Sequence, residues 1–180
     1  DTRMVEINDL TALPSRRGQS FVAGPFINVY NEGTARYLIG QGALTICPPV
    51  ELSLASIGSL ARACPEAEFE VFAFGRLPLA LSGRCYHARL HGLHKDACRF
   101  TCEKDLDGLA VDTAEDQEFL AINGVQTLSN QVQAACPSPD KLAALGIRRL
   151  RLSPQSCDMV AVAKVYRDLI DGNEDTEEAR

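Results

Sequence analysis

Short apolar runs alternate with segments of helical periodicity along most of this chain. The apolar runs lie at residues 19–28, 43–49, 69–75 and 147–154, and the helical segments lie at 31–42, 50–64, 138–146 and 156–172. Strands with so few polar residues cannot expose a face of the sheet to water. The pattern therefore predicts a parallel sheet that is covered by helices. The predicted fold class is therefore α/β.

The number of these units suggests part of a larger architecture. About four strand-helix units are present, whereas a closed (β/α) barrel needs eight and usually about 250 residues. A four-strand parallel piece would leave unpaired edges, and the chain begins at Asp1 rather than at a methionine. We interpret residues 1–170 as a partial barrel domain, the C-terminal half of a TIM-like (β/α) barrel with a long Cys-rich insertion after a strand. A small open α/β sheet is the alternative.

Charge and hydropathy exclude several functional classes. The net charge is −6 over 180 residues, and the last ten, "DGNEDTEEAR", form an expected acidic flexible tail at 171–180. No cluster of lysine and arginine approaches the basic surface that phosphate binding requires, which argues against nucleic acid as a partner. No stretch reaches the roughly 20 apolar residues that span a bilayer. An odd number of cysteines, seven, favours reduced thiols in the cytoplasm over a secreted disulfide framework.

One polar segment, residues 82–118, follows the third apolar run and concentrates the residues that could bind a metal. Within it, "GRCYHARLHGLHKDACRFTC" at 83–102 holds three cysteines and all three histidines of the chain. Cys85, Cys98 and Cys102 follow the spacing C-x12-C-x3-C. Cys98 and Cys102 are expected one helical turn apart, so that both thiolates could face a single metal. Three soft ligands select zinc or an iron–sulfur cluster, and both usually take four.

The residues alone leave the fourth ligand open. Candidates in the same segment are the histidines, which would complete a zinc site of three cysteines and one histidine: His87, His91 and His94. Cys47 and Cys136 could each supply a sulfur, whereas Cys64 and Cys157 lie at predicted helix ends and are expected to be small apolar fillers. The alternative without a metal is that the thiols are simply buried and the histidines belong to a loop.

Other catalytic motifs are missing from the sequence. It has no G-x-S-x-G, H-E-x-x-H, G-x-x-x-x-G-K or G-x-G-x-x-G. Asn28, Asn31 and Glu32 follow the first apolar run, where a parallel sheet places polar site residues, but simple helix capping by Asn31 is the favoured interpretation. No catalytic residue is therefore assigned.

Three stretches resemble a known family: "AGPFINVYNEGTARYLIGQGA", "FEVFAFGRLPLALSGRCYHARLHG" and "KDACRFTC". They are similar to the collagenase-like peptidase family of barrel proteins, and the run "GRLPLALSGRCYHAR" with the C-x12-C-x3-C spacing is most similar to its UbiV-type branch. The resemblance extends over residues 20–170.

The resemblance implies a function and a cofactor. Members of this branch are soluble barrel-type proteins that carry a [4Fe-4S] cluster on four cysteines and form a heterodimer with a UbiU-type partner. The pair serves oxygen-independent hydroxylation of the quinone precursor ring in ubiquinone biosynthesis, with prephenate as hydroxyl donor. By motif, Cys85, Cys98 and Cys102 correspond to three of the cluster ligands, and the fourth is expected in an N-terminal half that this sequence lacks. The alternatives are a collagenase-like peptidase and a zinc-stabilised subunit without catalytic activity.

Overall fold

The computed structural model describes residues 4–172, which divide into two compact units. Unit 1 contains the described residues in 4–73, 135–151 and 165–172, and unit 2 contains Phe74–Ala134 and Leu152–Lys164. The predicted acidic tail lies outside the described residues from position 173 onward. Within 4–172, no helix is both long enough and apolar enough to cross a membrane.

Unit 1 contains the predicted parallel sheet. Strands β1 (Val5–Ile7), β2 (Phe21–Ala23), β3 (Ala43–Ile46) and the first part of β4 (Glu68–Leu81) pair side by side in parallel. Strand β8 (Ile147–Leu152) also pairs with β4. Ion pairs join residues 81 positions apart at two successive sites on β4 and β8, so these two strands run in the same direction. The α/β prediction is confirmed, and the unit is compatible with part of a (β/α) barrel.

The helices begin and end at residues that the sequence marks. Helix α1 (Glu32–Gly40) is capped by Asn31, whose Oδ1 accepts the Thr34 N–H at 2.9 Å, so the capping interpretation is confirmed. Helix α4 (Pro139–Leu145) begins after Ser138 and ends at Gly146, whose φ of 73° is left-handed. Helix α5 spans Met159–Asp171.

Helix α2 (Leu54–Ala63) starts later than the predicted residue 50. Residues 50–52 instead form a turn in which the Leu52 N–H donates to the Pro49 carbonyl at 3.1 Å, and Ser53 accepts the Ser56 N–H at 3.2 Å as the N-cap. Its buried apolar face includes Ile57, Leu60 and Ala61. These side chains join one core with the strands and α1, whose fully buried members include Phe21, Leu38, Ile46 and Phe69.

Unit 2 is a four-stranded antiparallel arrangement that the sequence analysis does not predict. The second part of β4 pairs with β7 (Gln126–Ala134), β7 with β6 (Glu118–Asn123), and β6 with β5 (Leu109–Asp112). The segment 82–118 is therefore not one long loop. It contains a short helix, α3 (Tyr86–Leu90), two 3₁₀ turns at Lys95–Ala97 and Thr101–Lys104, and strand β5.

Candidate functional site

The three predicted ligand cysteines all lie in unit 2, at the turns between β4 and β5. Cys85 directly precedes α3, Cys98 lies between the two 3₁₀ turns, and Cys102 lies within the second turn. All three are free thiols. Within residues 4–172, no three histidine, cysteine, aspartate or glutamate side chains are already gathered so that they could hold a metal ion.

Cys85 is held in place by the start of α3. Its side chain is only 8% exposed, and its Sγ accepts the backbone N–H of Ala88 at 3.4 Å. The thiol therefore replaces the usual hydroxyl or carboxylate as the N-cap of this helix. A backbone donor aimed at the sulfur stabilises negative charge there, as a metal-binding thiolate requires.

Cys98 and Cys102 are joined by an unusual backbone. Arg99 and Phe100, which stand between them, both have left-handed φ angles of 52° and 53°. Residues other than glycine rarely adopt this backbone conformation, and those that do cluster at binding sites. The prediction of one continuous helical turn from Cys98 to Cys102 is wrong, because these two residues interrupt it. The result is a tight loop in which the Phe100 N–H donates to Cys98 Sγ at 3.4 Å.

The same loop contains a polar atom without a partner. The Thr101 hydroxyl is buried, and it forms no hydrogen bond to any of the described residues. A buried hydroxyl without a partner costs free energy, so such atoms call for an explanation such as an ion or ligand. Here it lies between two cysteines that are both partly exposed.

His87 occupies a different position from the one that a metal ligand would need. The side chain is completely buried. Its Nδ1 accepts the Gly124 N–H at 3.1 Å, and its Nε2 lies 3.0 Å from Asp105 Oδ2. Both ring nitrogens are already used, so His87 is not available as a fourth ligand. His91 and His94, by contrast, are exposed.

A basic cavity adjoins Cys85. It has a volume of about 610 Å³, and its charged lining residues are Arg84, Arg89, Lys95 and Asp96. The three basic residues, Arg84, Arg89 and Lys95, form no ion pair with another residue in the part of the chain that the structure describes. Excess positive charge next to thiol ligands offsets the negative charge of a metal–thiolate centre.

These features test whether the segment suits a metal–sulfur centre. The donors are free thiols, two of them receive backbone N–H groups, and a hydroxyl between two of them lacks a partner. The chemistry of the donor set fits a cluster or zinc. The geometry is not closed around one point, so binding would have to draw the Cys98–Cys102 loop and Cys85 together.

The remaining cysteines offer little as ligands. Burial raises the pKa of the Cys47 thiol to about 12, against the opposing effect of Arg151, so this sulfur keeps its proton. Cys47 and Cys136 are both buried in unit 1. Cys64 is buried in the core, as predicted for an apolar filler. The same prediction is wrong for Cys157, which is exposed because α5 begins two residues after it.

A charged network in unit 1 was missed by the sequence analysis. On β8, Arg151 donates through Nε to Glu70 of β4 at 2.6 Å, and it also pairs with Glu6 of β1. Burial lowers the pKa of Arg151, but the hydrogen bond to Glu6 and the neighbouring Cys47 and Glu70 outweigh burial and raise it. Alternating charges in otherwise apolar runs were the available signal, since "EFE" at 68–70 and "RLR" at 149–151 place complementary charges two residues apart.

Comparison with known proteins identifies the family. The model of Peptidase family U32 matches residues 12–180, which is nearly the whole chain. No solved structure matches the chain. The chain belongs to Peptidase family U32.

Proposed function

We propose that this chain is an iron–sulfur protein of the UbiV-type branch of the U32 family. It would act with a UbiU-type partner in oxygen-independent hydroxylation of the ubiquinone precursor ring, with prephenate as the hydroxyl donor. The observation that carries the proposal is the set of three free thiols on the short turns of one unit, Cys85, Cys98 and Cys102. Thiolate ligands are typical of iron–sulfur and zinc sites, which usually take four ligands.

In this proposal Cys85, Cys98 and Cys102 hold the [4Fe-4S] cluster, and a fourth cysteine comes from the N-terminal half expected for this branch. When bound, the cluster supplies one-electron redox chemistry or a structural centre. The residues of this chain bind it and adjust its charge. Backbone N–H groups of Ala88 and Phe100 would lower the electron density on two sulfurs.

The surroundings of the thiols support an anionic centre in particular. The Thr101 hydroxyl, which is buried and forms no hydrogen bond within residues 4–172, is free to donate to a sulfur atom. A cluster with thiolate ligands carries net negative charge, and Arg84, Arg89 and Lys95 line the adjoining cavity. Because an odd number of cysteines, seven, suits a reducing compartment better than a secreted disulfide framework, we place the protein in the cytoplasm.

Two other functions remain as alternatives. The family name favours a collagenase-like peptidase. The sequence, however, has neither G-x-S-x-G nor H-E-x-x-H, and the pKa of about 12 keeps the buried Cys47 thiol protonated, so Cys47 itself is not a nucleophile. A zinc-stabilised subunit without catalytic activity would use the same three thiols, with His91 or His94 as a further ligand, and it would contain no sulfide.

The test is complementation of anaerobic quinone synthesis by the complete natural protein, produced together with its UbiU-type partner. Cys98→Ser removes one proposed ligand, and Cys157→Ser is the matched control because Cys157 is exposed and lies outside the Cys85–Cys102 segment. We expect Cys98→Ser to abolish quinone synthesis and Cys157→Ser to leave it unchanged. Equal activity of the two variants would show that the assignment of Cys98 is wrong.

A further inference from the structure

His87 is the completely buried histidine of the cysteine segment, and its two ring nitrogens are bound on opposite sides. The Gly124 backbone N–H can only donate, so Nδ1 must be the unprotonated acceptor. The ring proton then lies on Nε2, which donates to the Asp105 carboxylate. The neutral imidazole therefore links α3 to Asp105 and Gly124, which lie 18 and 37 residues after His87 in the sequence.

Both partners of His87 adjoin Cys102. The Asp105 N–H donates to the Cys102 carbonyl at 3.1 Å. On the other side, a Cβ placed on Gly124 would lie 3.8 Å from Cys102 Sγ. The two groups that His87 holds thus fix the backbone of Cys102 and flank its sulfur.

The other end of this connection is Cys85. His87 stands two residues after Cys85 in the first turn of α3, and the Ala88 N–H that caps Cys85 Sγ belongs to the same turn. A helix of only five residues has little stability of its own. The orientation of Cys85 therefore depends on what anchors α3, and His87 is its buried anchor.

We propose that His87 is a positioning residue that anchors the helical turn of Cys85 and the backbone of Cys102, so that the Cys98–Cys102 loop can close on a metal from a fixed base. This inference rests on the proposed function, because it assigns His87 to the same thiol site. The role requires imidazole in particular: Asn can reproduce the acceptor at Nδ1, and Gln the donor at Nε2, but neither reaches both Gly124 and Asp105. Removing such a supporting hydrogen bond typically weakens metal binding by 10–100-fold.

The test uses the complete natural protein, purified without oxygen, as His87→Asn and His87→Gln variants. His91→Gln is the matched control, since His91 is an exposed histidine at the end of the same helix. The first measurement is the rate at which a chelator removes iron. We expect each His87 variant to lose iron at least about 10-fold faster than wild type and His91→Gln. Rates equal to that of His91→Gln would overturn the proposal.

A second measurement separates positioning from general loss of stability. Leu38→Val lowers the stability of unit 1 by making a cavity in its core, and it should leave the rate of iron loss unchanged. Hydrogen exchange of the metal-free protein should show the Gly124 amide protected in wild type and in His87→Asn, and exposed in His87→Gln. If Leu38→Val releases iron as fast as the His87 variants, or if the Gly124 amide exchanges freely in wild type, His87 has no positioning role.

The same experiment distinguishes failure of the proposed function. Wild-type protein that contains zinc and no sulfide would contradict the iron–sulfur proposal. The same 10-fold criterion, applied to zinc release and measured against wild type and Leu38→Val, would then decide the role of His87. Wild-type protein that binds neither metal would overturn both proposals.

Discussion

Arg149 and Arg151 lie two residues apart on β8, and each pairs with a glutamate of β4, but they differ in burial. The Arg149–Glu68 pair joins side chains that are 54% and 40% exposed. The Arg151 side chain is 22% exposed and Glu70 is 14% exposed. Arg151 also pairs with Glu6, so that one guanidinium neutralises two carboxylates. Comparing substitutions of the two arginines therefore tests how burial changes the contribution of an ion pair to stability.

Replacing Arg151 by methionine keeps most of the packing volume and removes the charge. Glu6 and Glu70 then face each other without their shared cation. Breaking a buried pair typically costs 3–5 kcal/mol, and partial exposure of the three side chains reduces our expectation to about 2–3 kcal/mol. Arg149→Met removes an exposed pair, for which about 0–1 kcal/mol is expected.

The measurement is urea-induced unfolding of the complete protein at neutral pH. The midpoint should fall clearly for Arg151→Met and little for Arg149→Met. In the double variant with Glu6→Gln and Arg151→Met, one of the two unpaired carboxylates is removed. Part of the lost stability should therefore be recovered. If the two single variants lose the same stability, or if Glu6→Gln adds a further loss instead of a recovery, the account of this network is wrong.

Three further outcomes follow from individual side chains. Because the pKa of Cys47 is about 12 in the folded protein, the folded state keeps a proton that the unfolded state loses, and stability should fall as pH rises from 9 towards 12. Urea midpoints at pH 8 and pH 10 should show a smaller decrease for Cys47→Ala than for wild type, and an equal decrease would contradict this assignment. Cys157 is exposed, so a thiol reagent should label it in the native protein before the buried Cys64, and Cys157→Ser should abolish the fastest phase. The Tyr166 hydroxyl contacts the carbonyl oxygens of Ala73 at 3.1 Å and Ala135 at 3.2 Å. Tyr166→Phe should therefore cost about 1–3 kcal/mol in thermal unfolding, and an unchanged midpoint would refute that role.

The parts of the fold that depend on local signals are predictable from the sequence. Helices α1 and α4 are delimited by Asn31, Ser138 and Gly146, residues that act on their immediate neighbours. Strands β2 and β3 and the first part of β4 were visible because most of their residues are apolar and at least half-buried, whereas β8 also carries exposed arginines. Strand β1, which reads "VEI", was missed because Glu6 separates its two apolar residues, so that no apolar run is visible.

Unit 2 was harder to predict, because its strands are polar and their pairing is distant in sequence. Strand β7 reads "QTLSNQVQA", and its partner in β4 lies about fifty residues earlier, where Arg76 and Leu77, next to Pro78, both donate to Ser129. The N–H of Leu77 is taken by the Ser129 hydroxyl at 2.8 Å, where the register of the ladder shifts. A bulge of this kind is decided by tertiary contacts and leaves little trace in the local sequence.

The same limit applies to the candidate site. The spacing of the cysteines predicts their identity as ligands, which stays a prediction. It does not reveal that Arg99 and Phe100 have left-handed φ angles. Nor does it reveal that the His87 ring contacts the Asp105 carboxylate and the Gly124 N–H. The histidine could be recognised as a bridge only once its two partners, which belong to other turns, were placed beside it.

The central claim is that Cys85, Cys98 and Cys102 hold an iron–sulfur cluster. The most direct measurement is the content of iron, zinc and acid-labile sulfide in the complete protein purified without oxygen, for wild type, Cys98→Ser and Cys157→Ser. We predict iron and sulfide in nearly equal amounts in wild type and Cys157→Ser, and a large loss of both in Cys98→Ser. Zinc without sulfide in wild type, or full iron and sulfide in Cys98→Ser, would contradict the account.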